Sequence, residues 1–381
     1  MDFSFTGEQR ALSEKVRAFA EDTLARHAAL DDRERTFWSG FFAELGRAGL
    51  TGLMIAEELG GSGLGAVEAG IAVEQLARVE ATACYPVVNA ALIGGIIGRS
   101  GTTTQRADWL PAVAAGDAVV ALVLTEPGHG TDAAAIELSA RRDGDGWVLD
   151  GTKTSIMLGM HATHGLVFAR TSDEGARGVT AFYLPLNRDG IARERLDDLG
   201  VRAGGRATLR FTGVRASDDE IVGGVGEGFG GVMRGFDHSR ALIAVLAVAN
   251  AQAALDDALE HARERESFGQ VIGRHQGVAF PLVEHATRLH AARLLAFEAL
   301  WRADAGLDHR TEANMAKWWA CRIGVEAAHQ ALLTLGHRGW HDDHPASRRV
   351  RDAIGQEIAD GTENATKLVV ARRLLGREYA P

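Results

Sequence analysis

Leu124-Thr125-Glu126-Pro127-Gly128-His129-Gly130-Thr131-Asp132 marks the point at which the texture of this chain changes. Upstream, Gln9 to Leu24 sets Leu12, Val16, Phe19 and Ala20 at helical spacing with charges between them. Phe37 to Leu50 and Val67 to Ala81 repeat the pattern, separated by the glycine-rich turn Gly60-Gly61-Ser62-Gly63-Leu64-Gly65. From Val119 to Leu124 the chain is β-branched and aliphatic. Ile136 to Arg141, Gly146 to Asp150, Gly165 to Arg170, Val179 to Pro185 and Ala207 to Phe211 follow as short segments punctuated by Gly and Asp. Such segments suit an antiparallel sheet or barrel. Helical periodicity returns from Phe229 to about Glu266, from His275 to about Ala305, from Thr311 to Leu335 and, more briefly, from about Thr362 to Leu375. Long amphipathic helices with short connectors make a bundle. The expectation is an α+β multidomain chain, with an N-terminal helical domain over 1–117, a middle β domain over 118–226 and a C-terminal four-helix bundle over 227–381.

Composition agrees with that size of architecture. A chain of 381 residues can bury two or three cores, and 46% apolar with 24% charged residues is the mix of a globular protein. No run of eighteen apolar residues occurs, so no membrane span is expected. The polar start MDFSFTGEQRAL does not read as a signal peptide, and the expected location is cytoplasmic. Two cysteines, Cys84 and Cys321, provide neither a disulfide framework nor a thiolate metal cluster. A net charge of −10 disfavours sequence-independent binding of nucleic acid, which needs a broad basic surface.

Five short motifs stand in order along the chain. They are Glu57 to Gly65, the Leu124–Asp132 stretch, Gly151-Thr152-Lys153, Arg265-Glu266-Ser267-Phe268-Gly269 with Gln276, and Asp360-Gly361-Thr362. Singly, each has an ordinary reading. Pro127-Gly128 can be a simple turn, Arg265 a solvated cation beside Glu264 and Glu266, and Asp360-Gly361-Thr362 a turn or helix N-cap. Together and in order they resemble the acyl-CoA dehydrogenase family, whose signature T-E-P-x-x-G-[ST]-D matches Thr125 to Asp132.

The resemblance implies FAD between the β domain and the bundle, and conversion of an acyl thioester, on CoA or an acyl carrier, to the trans-2-enoyl thioester. A carboxylate removes the α-proton while flavin N5 takes the β-hydride, and an electron-transfer flavoprotein accepts the electrons. Matched residue by residue, Asp360 is the base, Thr131 reaches the pantetheine, and Asp237 and Arg240 contact CoA. Thr125 meets the flavin ring and Thr362 belongs to the FAD-binding set. Arg265, Ser267, Phe268 and Gln276 match a group that reaches the FAD diphosphate and adenosine of a neighbouring subunit. The implied assembly is a tetramer of two dimers.

Four departures from the family pattern carry information. Asp360 is one methylene shorter than the usual glutamate and follows Ala359 where an aromatic is common, which suggests a bulky, branched or cyclic acyl group. Ser155 and Met157 stand where an aromatic and a hydroxyl residue usually touch flavin. Leu333 and Gly336-His337 replace a glutamine and a Gly-Gly pair. Ser239, not an acid, precedes Arg240, so the alternative base position of some members is empty. Two other readings keep the fold: a nitroalkane-oxidase-like flavin oxidase, and a flavin-poor partner subunit of a mixed tetramer. Gly226-Glu227-Gly228-Phe229-Gly230-Gly231 lacks the βαβ context of a dinucleotide site, and His337, His341 and His344 lack the spacing of a helical zinc motif. No metal is expected.

Overall fold

Thr6 opens the first helix. Its hydroxyl accepts from the Gln9 amide, and the Gln9 side chain accepts from the Thr6 N–H. The computed structural model describes residues 3–381. From this cap, α1 (Gly7–Phe19) passes through a π-type turn (Ala20–Leu24) into α2 (Ala25–Glu34), so the helix expected as far as Leu24 changes its winding at Ala20. Val16, Ala20, Leu24 and Ala28 are all buried. A four-residue repeat drifts by about 40° per step on a 3.6-residue helix, and the wider turn takes up that drift.

Four more helices complete the N-terminal region: α3 (Phe41–Arg47), α4 (Ala66–Val79), α5 (Cys84–Ser100) and α6 (Thr103–Ala114). The sequence reading does not contain α5 or α6. In α5, 13 of 17 residues are buried, so no polar face interrupts the apolar run and no helical period is visible.

The middle region is one seven-stranded sheet. Its strands are β1 (Val120–Val123), β2 (Ser139–Asp143), β3 (Gly146–Ile156), β4 (His164–Arg170), β5 (Val179–Pro185), β6 (Ile191–Arg195) and β7 (Ala207–Ser217). Their order is β1-β4-β2-β3-β7-β6, with β5 paired on β4. The sheet is mixed where an antiparallel one was expected, because the chain completes the β2–β3 hairpin before β4 returns parallel to β1. The sheet has a core of its own, including Leu149, Phe182 and Leu209.

Beyond it come α7 (Gly228–Glu264), the two-residue strands β8 (Glu266–Ser267) and β9 (Gln270–Val271), α8 (Gln276–Asp304), α9 (Arg310–Leu335), α10 (His337–Trp340), α11 (Pro345–Ile358) and α12 (Glu363–Leu375). Helix α11, absent from the sequence reading, joins the four expected helices. Helix α7 packs on α9, α8, α4, α5 and α11, and one hydrophobic core runs from Phe41 and Leu76 through Leu246 to Ala292 and Ala327. Small residues bring α7 and α9 together: a Cβ placed on Gly324 would stand 3.2 Å from the Ala247 carbonyl. The segment Ala81–Ser100 and α7 are long and apolar enough to cross a membrane, yet 89% and 78% of their most apolar windows are buried inside the fold. Their composition serves packing.

Candidate active site

Asp360 sits in the short link between α11 and α12, with φ +53 in the left-handed region. A non-glycine residue is held there only when its surroundings over-determine it. Arg240 Nε on α7 donates to the Asp360 carbonyl at 3.0 Å. Lys317 on α9, fully buried, donates to the Glu357 carbonyl at 3.2 Å and also to the Gly361 carbonyl. Thr362 then caps α12 by accepting from the Ala365 amide at 3.4 Å, so the N-cap reading of this tripeptide holds for its third residue. The Asp360 side chain is held as well: Ser239 Oγ donates to Oδ2 at 2.5 Å. Among the described residues, the Asp360 amide makes no hydrogen bond.

The supports of that link are themselves buried and paired. Arg240 donates to Asn314 Oδ1 at 3.1 Å and lies 3.9 Å from Asp237, whose Oδ2 accepts from Arg310 Nε at 2.9 Å. Burial pushes the Lys317 ammonium down. Burial pushes the Cys321 thiol up to about 11, the Lys317 cation opposes the rise, and Glu357 and Asp360 add to it. Tyr85, in the first turn of α5, is 4% exposed, and among the described residues nothing hydrogen-bonds its hydroxyl. Burial first, then the carboxylates of Asp360 and Asp352, hold the phenol well above its usual range. Sequence reasoning singled out Asp360, Asp237 and Arg240, but not Ser239 as a partner of the carboxylate, nor Tyr85, Arg310, Asn314 or Lys317. The one signal for the α9 residues was an asparagine and a lysine among alanines on an expected core helix.

The motifs around Thr125 interlock. Lys153 Nζ in β3 donates to the Leu124 carbonyl at 2.8 Å and to Glu126 Oε1 at 2.7 Å, with both side chains buried. The Glu126 oxygens also accept from the amides of Glu137 and Leu138 at 2.6 and 2.9 Å. Burial lowers Lys153 to about 8 even though Glu126 pulls the other way. Thr125, half-buried, is fixed through its carbonyl, which accepts from the Thr154 amide at 2.8 Å. Next along β3, Ser155 adopts φ +60 and is exposed, its hydroxyl accepting from Arg206 at 3.2 Å. Met157 packs over Gly204, where an added Cβ would come within 2.7 Å of its sulfur. Thr131 is exposed in the loop between β1 and β2.

Arg265, Ser267, Phe268 and Gln276 gather elsewhere. Arg265 ends α7, Ser267 and Phe268 form the β8–β9 hairpin, and Gln276 begins α8. Phe268 is 94% exposed with φ +53. Arg265 and Ser267 line a cavity of about 730 Å³ together with His261, His337, Arg338 and His341. The donor set of this cavity suits a diphosphate. Thr334, on its wall, lies about 25 Å further along α9 than Lys317 at 1.5 Å per residue. His261 lies about 30 Å along α7 from Arg240 by the same measure. Within one chain, then, Asp360 and the Arg265 group belong to two separate places.

Three family models cover nearly the whole chain: the acyl-CoA dehydrogenase N-terminal domain over residues 6–117, middle domain over 121–214 and C-terminal domain over 226–375. The chain belongs to the acyl-CoA dehydrogenase family. Members of this family are oxidoreductases acting on acyl-CoA, and their cofactor is FAD. The chain is 37% identical over 367 residues to the mitochondrial short-chain specific acyl-CoA dehydrogenase of Bos taurus, covering 96% of this chain and 89% of that one. Butyryl-CoA dehydrogenase from Megasphaera elsdenii superimposes with a TM-score of 0.96 at 29% identity, over 98% of this chain and all of the other. A chain from the structure of the electron transferring flavoprotein of Acidaminococcus fermentans does so with the same score and coverage at 32% identity. This acyl-CoA dehydrogenase fold therefore carries an aspartate on a strained, braced turn, with an amide that no described residue pairs.

Proposed function

We propose that this protein dehydrogenates an acyl-CoA between Cα and Cβ, with Asp360 as the base that removes the α-proton. The observation that carries the reading is the left-handed Asp360 turn, braced by Arg240 and Lys317 and leaving its own N–H without a partner. That amide suits the thioester carbonyl, where it would stabilise the negative charge that develops as the α-proton leaves. FAD, when bound, supplies the hydride acceptor for Cβ. Thr125 and Thr362 are its contacts on this chain, and Thr131 with Asp237 and Arg240 is the CoA side of the site.

The separation of about 25 Å between Lys317 and the Arg265 cavity supports a site shared between copies. In that arrangement Arg265, Ser267, Phe268 and Gln276 serve the FAD of a neighbouring subunit. A homotetramer in the cytoplasm, with an electron-transfer flavoprotein as acceptor, completes the reading. The domain limits of 117/118 and 226/227 fall in the linkers before β1 and α7. For the acyl group, the short side chains of Ala359 and Asp360 favour a compact chain broadened near Cα, by a branch or a ring.

The test is anaerobic mixing of the yellow protein with butyryl-, isobutyryl- and cyclic acyl-CoA thioesters, followed by flavin absorbance. Bleaching is expected with the wild type and is lost in Asp360→Ala. Retained bleaching in that variant removes Asp360 from the reaction. A clear preference for an unbranched chain removes the proposal on acyl shape.

A further inference from the structure

Ser239 lies one residue before Arg240 on α7 and has no exposed surface. Its hydroxyl donates to Oδ2 of Asp360 at 2.5 Å, and among the described residues it is the only side chain that hydrogen-bonds this carboxylate. A carboxylate on a single methylene has two side-chain torsions, so fixing one oxygen also fixes the other. Arg240 and Ser239 therefore divide the work: the guanidinium holds the Asp360 backbone carbonyl and the hydroxyl holds its carboxyl. One turn of α7 locates both ends of the residue.

We infer that Ser239 is the positioning residue of the base: it occupies Oδ2 and leaves Oδ1 as the oxygen that receives the proton. This inference rests on the reading of Asp360 as the base. A lone carboxylate swings between rotamers, and proton transfer loses rate steeply when the acceptor is displaced by about an ångström. The other groups that face Asp360 are Tyr85 on α5, Arg240 on α7, and Lys317 and Cys321 on α9. The Arg240 and Lys317 hydrogen bonds in this link go to backbone carbonyls, so they set where the residue stands without choosing between its two oxygens.

The experiment compares wild type, Ser239→Ala, Ser239→Thr and Ser239→Cys as full-length, FAD-loaded protein. Rapid mixing with an acyl-CoA gives the rate of flavin reduction and the dissociation constant. An infrared difference spectrum against Asp360→Asn gives the carboxylate stretching bands of Asp360 with no reaction at all. In Ser239→Ala the reduction rate falls about ten- to a hundredfold, while the dissociation constant holds. The carboxylate bands shift and broaden as the hydrogen bond to Oδ2 is lost. Ser239→Thr keeps the donor and recovers most of both. Ser239→Cys, close to serine in volume but a weak donor, falls between, and it replaces the alanine variant if that protein does not fold. Carboxylate bands unchanged in the alanine and cysteine variants overturn the inference, whatever the activity. Bands that shift in a protein that oxidises no thioester support the positioning and overturn the proposed reaction instead.

Discussion

Replacing Lys153 by methionine tests the part of the fold that locks two motifs together. The ammonium sits 2.7 Å from Glu126 Oε1 and 2.8 Å from the Leu124 carbonyl, with no exposure of the lysine and 4% of the glutamate side chain. Methionine keeps most of the volume but leaves the Glu126 carboxylate in a dry site, with only the Glu137 and Leu138 amides as donors. Removing one partner of a buried pair costs about 3–5 kcal/mol, because the remaining charge loses its compensation. The pair itself contributes far less than that, since burial offsets much of the attraction. The depressed Lys153 ionisation, near 8 despite an acidic partner, reports that offset.

The loss is therefore expected to be larger in the single variant than in the double. Glu126→Gln with Lys153→Met removes the uncompensated charge but leaves one oxygen for two amides that now use separate oxygens, so only part of the stability returns. Hydrogen exchange at the Thr154 amide, which donates to Thr125, reads the local opening. In Lys153→Met it should quicken by roughly two to four powers of ten, and in the double variant by less. A single variant that exchanges at the wild-type rate would refute the reasoning, as would a double variant no better than the single.

Two further outcomes follow from buried ionisable groups. Asp31 on α2 is raised to about 7, first by burial and then by Glu80, and Asp352 on α11 is raised for the same two reasons. The folded state holds protons that the unfolded chain has already released, so this stabilisation is complete below about pH 4 and is lost as pH rises through 7. Each such carboxyl lowers the unfolding free energy by about 1.4 kcal/mol between pH 6 and pH 8. Urea midpoints at those two pH values should therefore converge in Asp31→Asn, and an undiminished fall would refute the assignment. Tyr85→Phe removes a hydroxyl with no partner, so its urea midpoint should match or exceed that of the wild type; a loss above about 1 kcal/mol would mean that the hydroxyl is bonded after all.

The fold was legible wherever one face of an element meets water. Helix α1 announces itself through Leu12, Val16 and Phe19 at helical spacing between charged neighbours, while its Thr6–Gln9 cap is absent from the sequence reading. Helix α5 does not, because Val87, Val88, Ile93 and Ile97 are enclosed on all sides. Helix α11 hides for the opposite reason: its arginines are drawn into pairs, Arg348 with Glu80, Arg349 with Asp257 and Arg351 with Asp32, so a charged run that reads as loop is an interior seam. The site shows the same division. Asp360 and the Thr125 stretch are visible because they match motifs of the acyl-CoA dehydrogenase family. Lys317 and Asn314 are not, because their task is to satisfy carbonyls and an arginine from other elements, a need that arises only once α7, α9 and the 358–362 link have met.

That meeting also explains why the unusual residues fall into two groups. Ser155, Met157, Ser239 and Asp360 adjoin the sheet or the middle of the bundle, whereas Leu333 and His337 stand at the far end of α9 with Arg265. If one FAD drew on both groups within a single chain, it would have to bridge the length of α9 beyond Lys317, about 25 Å of helix. Shared between two chains, the groups no longer need to be close in either. The cavity that holds Arg265 and Arg338 then has a reason to face outward, and so does Phe268, whose ring is almost wholly exposed on a hairpin that holds it in a left-handed conformation. An aromatic side chain so presented is costly for a monomer and inexpensive once a partner covers it.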